Sequence, residues 1–526
     1  LSILDKKNIE DIYKLSPTQH GLLFNTLYAL ETGVFLEQAV PTLQNLDVSS
    51  HIRAWQKVIE RHSILRTAFF WEDLDEPLQV VASQVELPVE QHDWRGLDPQ
   101  EQQEQLATFL EADRRRGFDL SEAPLMRLAL IRLDETTHRM VWSYHHILLD
   151  GWSVVLVLEE VSACYRSFRE KRTVSLASSR PFRDYVSWLR QKDWAVAESF
   201  WRQKLSGFTT ATALCVDRAP GSLPDPQAAF DRQQIRLPAE TTTAIQAFTR
   251  QYRITVNTLV QAAWACLLHR YGGERDVLFG VTVHGRPTDL SGFETMVGLF
   301  INAIPVRVQV PRAGAVLEWL QAWQAEFAEL LRHSYTPLVQ IQSWNGIPRN
   351  RAMFDYVLVD QSHPGPATDG RRVDYDLFEM TGYPLTVYLN ADEALVLRIV
   401  YDRQRFADDD VGRVLAHLSL LLTGMVDNPH RPLAELALLT DGQAQQMLYE
   451  WNATATPYPQ NATLQGLFAR QAAQTPRATA VIWGDERLSY GELDRRANQL
   501  AHYLRARGVG PETRVGLCVE RGWEML

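Results

Sequence analysis

The sharpest change in hydrophobic period along the chain falls between Met140 and Glu160, in MVWSYHHILLDGWSVVLVLEE. Its first half is apolar and aromatic, with residues that favour β-structure. Asp150-Gly151 then gives a turn signal, and beyond it apolar Leu158, Val161, Tyr165 and Phe168 recur at helical spacing. The pattern predicts a buried strand, a tight turn at its carboxyl end and an amphipathic helix. Side chains alternate across a strand, so His145 and His146 cannot both face one cavity if the strand runs through the pair. One of them then serves chemistry and the other structure.

The same reading extends to both sides. Ser16 and Pro17 are placed as N-cap and first residue of a helix with apolar Leu22, Leu23, Leu27 and Leu30. HIRAWQKVIERHSILRTAFFW reads as a helix, with Ile52, Trp55, Ile59 and His62 on one side, entering a strand near Leu65 to Phe70; Arg61 and Arg66 read as helix-end and surface pairing. Glu101 to Arg116 is a solvated amphipathic helix, and APLMRLALIRL and MVWSYHHIL form a hairpin around Asp134. KRTVSLASSR is the best internal boundary. PFRDYVSWLRQKDWAVAESFWRQKLSGF is helical with an aromatic stripe, and Leu205 to Phe230 is a loop or crossover. A helix from Ala239 through His269 stops at Gly272-Gly273; DVLFGVTVHGRP and MVGLFINAIPVRVQV read as strands, and LVLRIVYDRQRF and the helix DVGRVLAHLSLLLTGMV close the unit near Leu439. From Thr440 the chain turns polar with scattered prolines, a linker, and then reads helix, strand, helix, strand.

Length changes this picture little: 526 residues amount to roughly three to four domain-sized units. With 45% hydrophobic residues the chain can fill large cores, and a net charge of -11 with no run of Lys and Arg argues against a nucleic-acid partner. Cys164, Cys215, Cys266 and Cys518 are far apart and form no CxxC pair, which fits reduced thiols in the cytoplasm and no zinc site. LSILDKKNIEDIY lacks the regions of a signal peptide, and WSVVLVL is too short to span a bilayer. No initiator Met opens the chain and its last residues break off in mid-pattern, as expected for a piece of a longer polypeptide.

HHILLDG, from His145 to Gly151, resembles the HHxxxDG signature of nonribosomal peptide synthetase condensation domains and their relatives in the chloramphenicol acetyltransferase superfamily. SPTQHGLLFNTLY resembles that family's opening motif, closest to the subgroup that accepts a D-configured donor. RHSILRTAF matches RHxxLRTxF, FRDYVSW resembles a further motif, and Gly298, Phe300, Asn302 and Arg307 match GxFxNxxxxR. RHSYTPLVQIQSW and IPRNRAMFDYVLV continue the likeness, with Ser334 where the broader family often has an acidic residue. The motifs keep their order from about Ile12 to Leu439. LSYGEL, Leu488 to Leu493, resembles the first motif of an adenylation domain whose later ATP-binding and amino-acid-binding motifs are missing, so this fragment is expected to adenylate nothing.

The resemblance implies an α/β fold of two chloramphenicol acetyltransferase-like lobes in a V-shaped pseudodimer with a central tunnel. It places the lobes at residues 1–178 and 179–440, a linker at 441–463 and a truncated adenylation start at 464–526. It also implies attack of a carrier-bound aminoacyl amine on an upstream carrier-bound aminoacyl or peptidyl thioester, as in antibiotic or siderophore biosynthesis. His146 is the candidate nearest the reacting nitrogen, and general-base removal of a proton or orientation of the amine both remain open. His145, Asp150 and Gly151 complete the catalytic set. Asp150 is either the carboxylate of a triad or, as favoured here, the structural partner of Arg286; Gly151 permits a tight turn, and Trp152 and Asn302 support the site. No metal and no cofactor of its own is expected, the substrates arriving on 4'-phosphopantetheine arms of donor and acceptor peptidyl carrier domains; the rest of the adenylation domain is the further partner, with no nucleic acid and no membrane. Alternatives of the same fold are an epimerization domain and a non-catalytic carrier-binding or recruitment domain. A heterocyclizing relative would replace the histidines with aspartates, which this chain does not.

Overall fold

The computed structural model describes residues 8–28, 35–208, 212–217, 230–287, 289–348, 352–362, 367–368, 371–372, 382–391 and 394–526. Leu30 and most of the loop expected between Leu205 and Phe230 lie outside them, as do residues 349–351 of IPRNRAMFDYVLV. The chain divides into two units, Leu1–Thr440 and Asp441–Leu526.

In the first half of the larger unit, β1 (Ile9–Lys14) precedes α1 (Pro17–Tyr28), and β2 (Leu36–Ala39) and β3 (Thr42–Gln44) lead into α2 (Val48–Arg61). β4 (Thr67–Phe70), β5 (Leu78–Ala82) and β6 (Val89–Asp93) lead into α3 (Pro99–Arg116), and β7 (Met126–Arg132) and β8 (Thr137–His145) into α4 (Gly151–Arg169). One sheet has the order β2-β8-β7-β6, with β3 also on β8, and a second has β1-β5-β4. β7 and β8 pair antiparallel from Met126 opposite Tyr144 to Arg132 opposite His138, the hairpin expected around Asp134. Alternation along β8 then separates two layers. Met140, Trp142 and Tyr144 enter a core shared with α2 and α4, where the Trp142 ring lies 4.7 Å from that of Trp55 and 4.5 Å from that of Tyr144. Val141 faces the other way, joining Ala129 and Ile131 beneath Leu106, Phe109 and Leu110 of α3. Each aliphatic side chain so buried contributes about 1.5–3 kcal/mol.

The second half runs α5 (Phe182–Arg190), α6 (Trp194–Leu205), β9 (Phe230–Arg236), α7 (Ala239–Tyr252), α8 (Val256–Gly272), β10 (Asp276–Val283), β11 (Asn302–Gln309), α9 (Val316–Arg332) and α10 (Leu338–Trp344). It continues through β12 (Tyr356–Asp360), the two-residue strands β13 (Ala367–Thr368) and β14 (Arg371–Arg372), β15 (Leu385–Asn390), β16 (Val396–Asp402) and α11 (Asp408–Asp427). Its main sheet has the order β11-β10-β12-β15-β16-β9. β12 is parallel to both of its neighbours, and the outer pairs are antiparallel.

Three elements depart from expectation, each for a local reason. The helix expected from Ala239 through His269 is two helices: Arg253 takes a left-handed φ of 56° that ends α7, and the Thr255 side chain accepts from Thr258 N to begin α8. The stretch 181–208 likewise breaks where Asp193 caps α6. In MVGLFINAIPVRVQV only Asn302–Gln309 is strand. Met296, Val297 and Phe300 instead enter the core of the first half, together with Phe182, Tyr185, Val186 and Leu189 of α5. This close seating needs glycine at 298, where a Cβ would stand 2.1 Å from the Phe182 ring. Tyr335 packs against the cores of both halves.

The smaller unit contains α12 (Asp441–Gln445), α13 (Leu464–Gln474), the antiparallel pair β17 (Thr479–Trp483) and β18 (Glu486–Ser489), and α14 (Tyr490–Ala506). The strand expected in its last residues does not form, and Val515, Leu517 and Val519 are exposed. A strand needs a neighbour to satisfy its backbone, and the unit's only sheet among the described residues is the two-stranded β17-β18 pair. Among the described residues no helix is long and apolar enough to cross a membrane.

Candidate active site

β8 ends at His145, and the next four residues turn into α4. This loop is held by its backbone: His145 N donates to Leu125 O at 3.0 Å and His146 N to Phe35 O at 2.8 Å. Phe35 has φ +70°, a left-handed conformation unfavourable for a bulky residue. Gln19, in the capping box that starts α1, donates to Ile147 O at 3.3 Å and pairs with Gln79 of β5 at 3.0 Å. Both glutamines are buried, so this pairing ties the histidine loop to α1 and the small sheet.

Both nitrogens of His145 are engaged. Its Nδ1 accepts from Ile147 N at 3.1 Å, which puts the ring proton on Nε2. Thr26 gives its hydroxyl proton to Leu22 O at 2.8 Å and therefore accepts from His145 Nε2 at 3.3 Å. Burial, and secondarily the neighbouring His146, push the His145 pKa down to about 3. Burial also pushes His51 down to about 4, where it accepts from Trp55 Nε1 at 3.0 Å. Both rings stay neutral in the fold but take up a proton near 6.5 once unfolded. The unfolded chain thus binds more protons below 6.5, and stability is lost as the pH falls from there. Denaturant unfolding at pH 5 is expected to show the larger unit less stable than at pH 7 by about 2 kcal/mol for each of these two histidines.

His146 is arranged differently. Its Nδ1 lies 2.8 Å from Leu149 O, a carbonyl that can only accept, so Nδ1 carries the proton and the lone pair is on Nε2. The imidazole is partly exposed. Behind it, Glu37 Oε1 lies 3.3 Å from Nδ1, and Glu37 Oε2 accepts from the Tyr144 hydroxyl. The β2–β8 register sets Glu37 opposite Tyr144 and Gln38 opposite Ser143. Glu37 and Tyr144 therefore share the His146 face, whereas Gln38 and Ser143 both bind Asp113 of α3 on the reverse.

The turn expected after the strand runs from His146 to Leu148, and Asp150 starts the helix that follows. Asp150 Oδ1 accepts from Ser153 N at 2.8 Å and caps α4. The same carboxylate meets Arg286 at 3.2 Å and accepts from Phe300 N at 3.1 Å. Arg286 also donates to Ser153 Oγ and to the carbonyls of Phe293 and Met296, and its guanidinium lies 4.0 Å from the Phe300 ring centre. Both charged groups are buried, and burial lowers the Arg286 pKa against the opposing pull of Asp150. Trp152 Nε1 donates to Glu294 O at 3.2 Å, binding the same crossing segment. Gly285 makes the turn before Arg286 with φ +57°, and a Cβ there would sit 1.9 Å from Phe300 O. Gly151 needs no such freedom: its φ is ordinary and a Cβ would meet nothing within 4 Å.

The remaining residues singled out by sequence hold backbone. Asn302 donates to Ser334 O and Thr336 O, each at 2.7 Å. Arg307 grips Asp276 with two bonds and also donates to Ser206 O. Arg61 at the end of α2 pairs with Glu160 of α4 at 3.1 Å. Arg66 is not a surface residue: its buried guanidinium donates to Ile59 O, Ala82 O and Ser83 O and pairs with Glu10. Glu37, beside His146, was not singled out by sequence reading.

Residues 9–448 match the condensation domain family and residues 468–526 the AMP-binding enzyme family. A linear gramicidin synthase polypeptide of Brevibacillus parabrevis is 44% identical over 526 residues, covering 99% of this chain. The chain spans only 7% of the length of that relative. The starter condensation domain of rhizomide synthetase superposes with a TM-score of 0.69 at 18% identity, covering 82% of this chain and 98% of that one. A holo four-domain nonribosomal peptide synthetase bound to AMP and glycine gives 0.73 at 18% identity, over 95% of this chain and 39% of that one. At this identity the two structures show a shared fold.

Proposed function

Because this chain belongs to the condensation domain family, we propose that its first 440 residues join two carrier-tethered building blocks through a peptide bond. The amine of a downstream carrier-bound aminoacyl group attacks the carbonyl carbon of an upstream carrier-bound aminoacyl or peptidyl thioester. A C–N bond forms and the C–S bond breaks. The upstream arm leaves as its thiol, and the lengthened chain remains on the downstream arm. A thioester is already activated, so alignment of the two arms and relief of the nitrogen's proton are what the reaction needs.

One observation carries this reading: His146 stands on a partly exposed ring with its proton fixed on Nδ1, which leaves Nε2 as the basic nitrogen, whereas His145 is fully buried. His146 is the catalytic residue in this proposal, accepting the proton from the attacking nitrogen and returning it to the departing sulfur. His145 holds the loop, and Asp150 with Arg286, Trp152 and Asn302 supports it. The 4'-phosphopantetheine arms arrive on the carrier partners, and the chain acts in the cytoplasm. A D-configured donor is supported by the likeness of SPTQHGLLFNTLY to the subgroup that accepts one. The AMP-binding start is proposed to be inactive by itself and to act with the remainder of such a domain.

The test mixes this chain with donor and acceptor carriers loaded with defined aminoacyl groups and reads the downstream carrier by mass spectrometry. Dipeptide is expected, formed faster from the D than from the L donor. The same preparation is expected to show no amino-acid-dependent exchange of pyrophosphate into ATP. A folded chain that makes no dipeptide from either donor would reject the proposal.

A further inference from the structure

We propose that Glu37 is the positioning residue of the site, its carboxylate holding the Nδ1–H of His146 in place and balancing the charge that appears when Nε2 takes up a proton. The inference rests on the reading of His146 as the proton acceptor.

Its basis is a convergence of three groups on one side of the ring. Leu149 O receives the Nδ1 proton at 2.8 Å, and Glu37 Oε1 stands 3.3 Å from the same nitrogen. Glu37 Oε2 is held by the Tyr144 hydroxyl, which fixes the carboxylate from the end away from His146. Glu37 is 5% exposed, so its end of the Oε1–Nδ1 approach is weakly screened by water. A carboxylate this close favours the protonated imidazole, and its fixed position prevents the ring from turning Nε2 away from the reacting atoms.

Four polar groups around the loop are committed to other partners. Tyr144 is the donor to Glu37, and His145 is neutral with both nitrogens bonded. Asp150 spends its oxygens on Arg286, Ser153 N and Phe300 N. α1 contributes the hydroxyl of Thr26, which is bound to His145. Glu37 is the carboxylate that the β2–β8 pairing sets against His146 Nδ1. In the proposed reaction the proton moves from the nitrogen of the tetrahedral intermediate to Nε2 and then to the leaving sulfur. Glu37 takes no part in the transfer, and Nδ1 keeps its proton.

The test measures His146 without relying on turnover. Diethyl pyrocarbonate acylates the neutral imidazole, and peptide mass spectrometry of the full chain gives the modification rate at His146 as a function of pH. In Glu37→Gln the pH midpoint for His146 is expected about one unit lower than in the parent, and the acidic limb of dipeptide formation moves with it. Glu37→Asp, which keeps the charge one methylene further back, is expected to lie between; it also serves alone if the glutamine variant fails to fold. Identical midpoints in the parent and the charge-altered variants would overturn the inference. A shifted midpoint in a chain whose His146→Ala form condenses at the parent's rate would uphold the placement of Glu37 and reject the proposed role of His146.

Discussion

His146→Ala is expected to slow dipeptide formation by about 10²–10⁴-fold, the range that a positioned acid–base group supplies. The fold should hardly notice. The imidazole is 22% exposed and its Nδ1 proton goes to a backbone carbonyl, that of Leu149, so the loss is about 1 kcal/mol and the unfolding midpoint stays close to the parent's. Residual turnover is expected because bringing an amine to an activated thioester accelerates the reaction without proton transfer. His145→Ala should behave in the opposite sense: removing a ring that bridges Ile147 N and Thr26 disorders the loop, so stability falls together with activity. Rates from loaded carriers and unfolding curves, measured on both variants, separate the two histidines.

Asp150→Asn carries the largest expected effect on stability, about 3–5 kcal/mol, because it strands the buried Arg286 charge. That is a large share of the roughly 5–15 kcal/mol of a typical domain, so partial unfolding at ordinary temperature is expected, with activity lost alongside. Replacing both partners, Asp150→Asn with Arg286→Met, should recover part of the stability, because no charge is then left unpaired. If Asp150→Asn instead unfolds like the parent but does not condense, the carboxylate acts on the chemistry and the pairing with Arg286 is secondary.

The histidine hairpin was legible because both of its signals are local: the alternation of Met140, Trp142 and Tyr144 gives the strand, and the apolar residues after Asp150 give the helix. Asp150-Gly151 reads as a turn signal without revealing that Asp150 caps the helix, since Asp serves both. Glu37 was illegible for a different reason. LEQA is four residues with two polar side chains, and nothing in it reveals that β2 pairs with a strand far along the chain, in the one register that sets Glu37 against Tyr144. The stretch from Met296 to Phe300 was misread because an apolar run has the same composition whether it fills a sheet or crosses into another core. The pairing of Asp150 with Arg286 came from family likeness; no spacing rule connects residues 136 apart.

Leu290, Met296, Val297 and Phe300, with α5, fill the interior of the half that bears the histidines. A hybrid chain spliced near residue 178 would inherit its histidine loop from one parent and the plug packed into that half from another. Such chimeras should precipitate or idle unless Phe182, Gly298 and Phe300 travel with the histidines as one transplanted set.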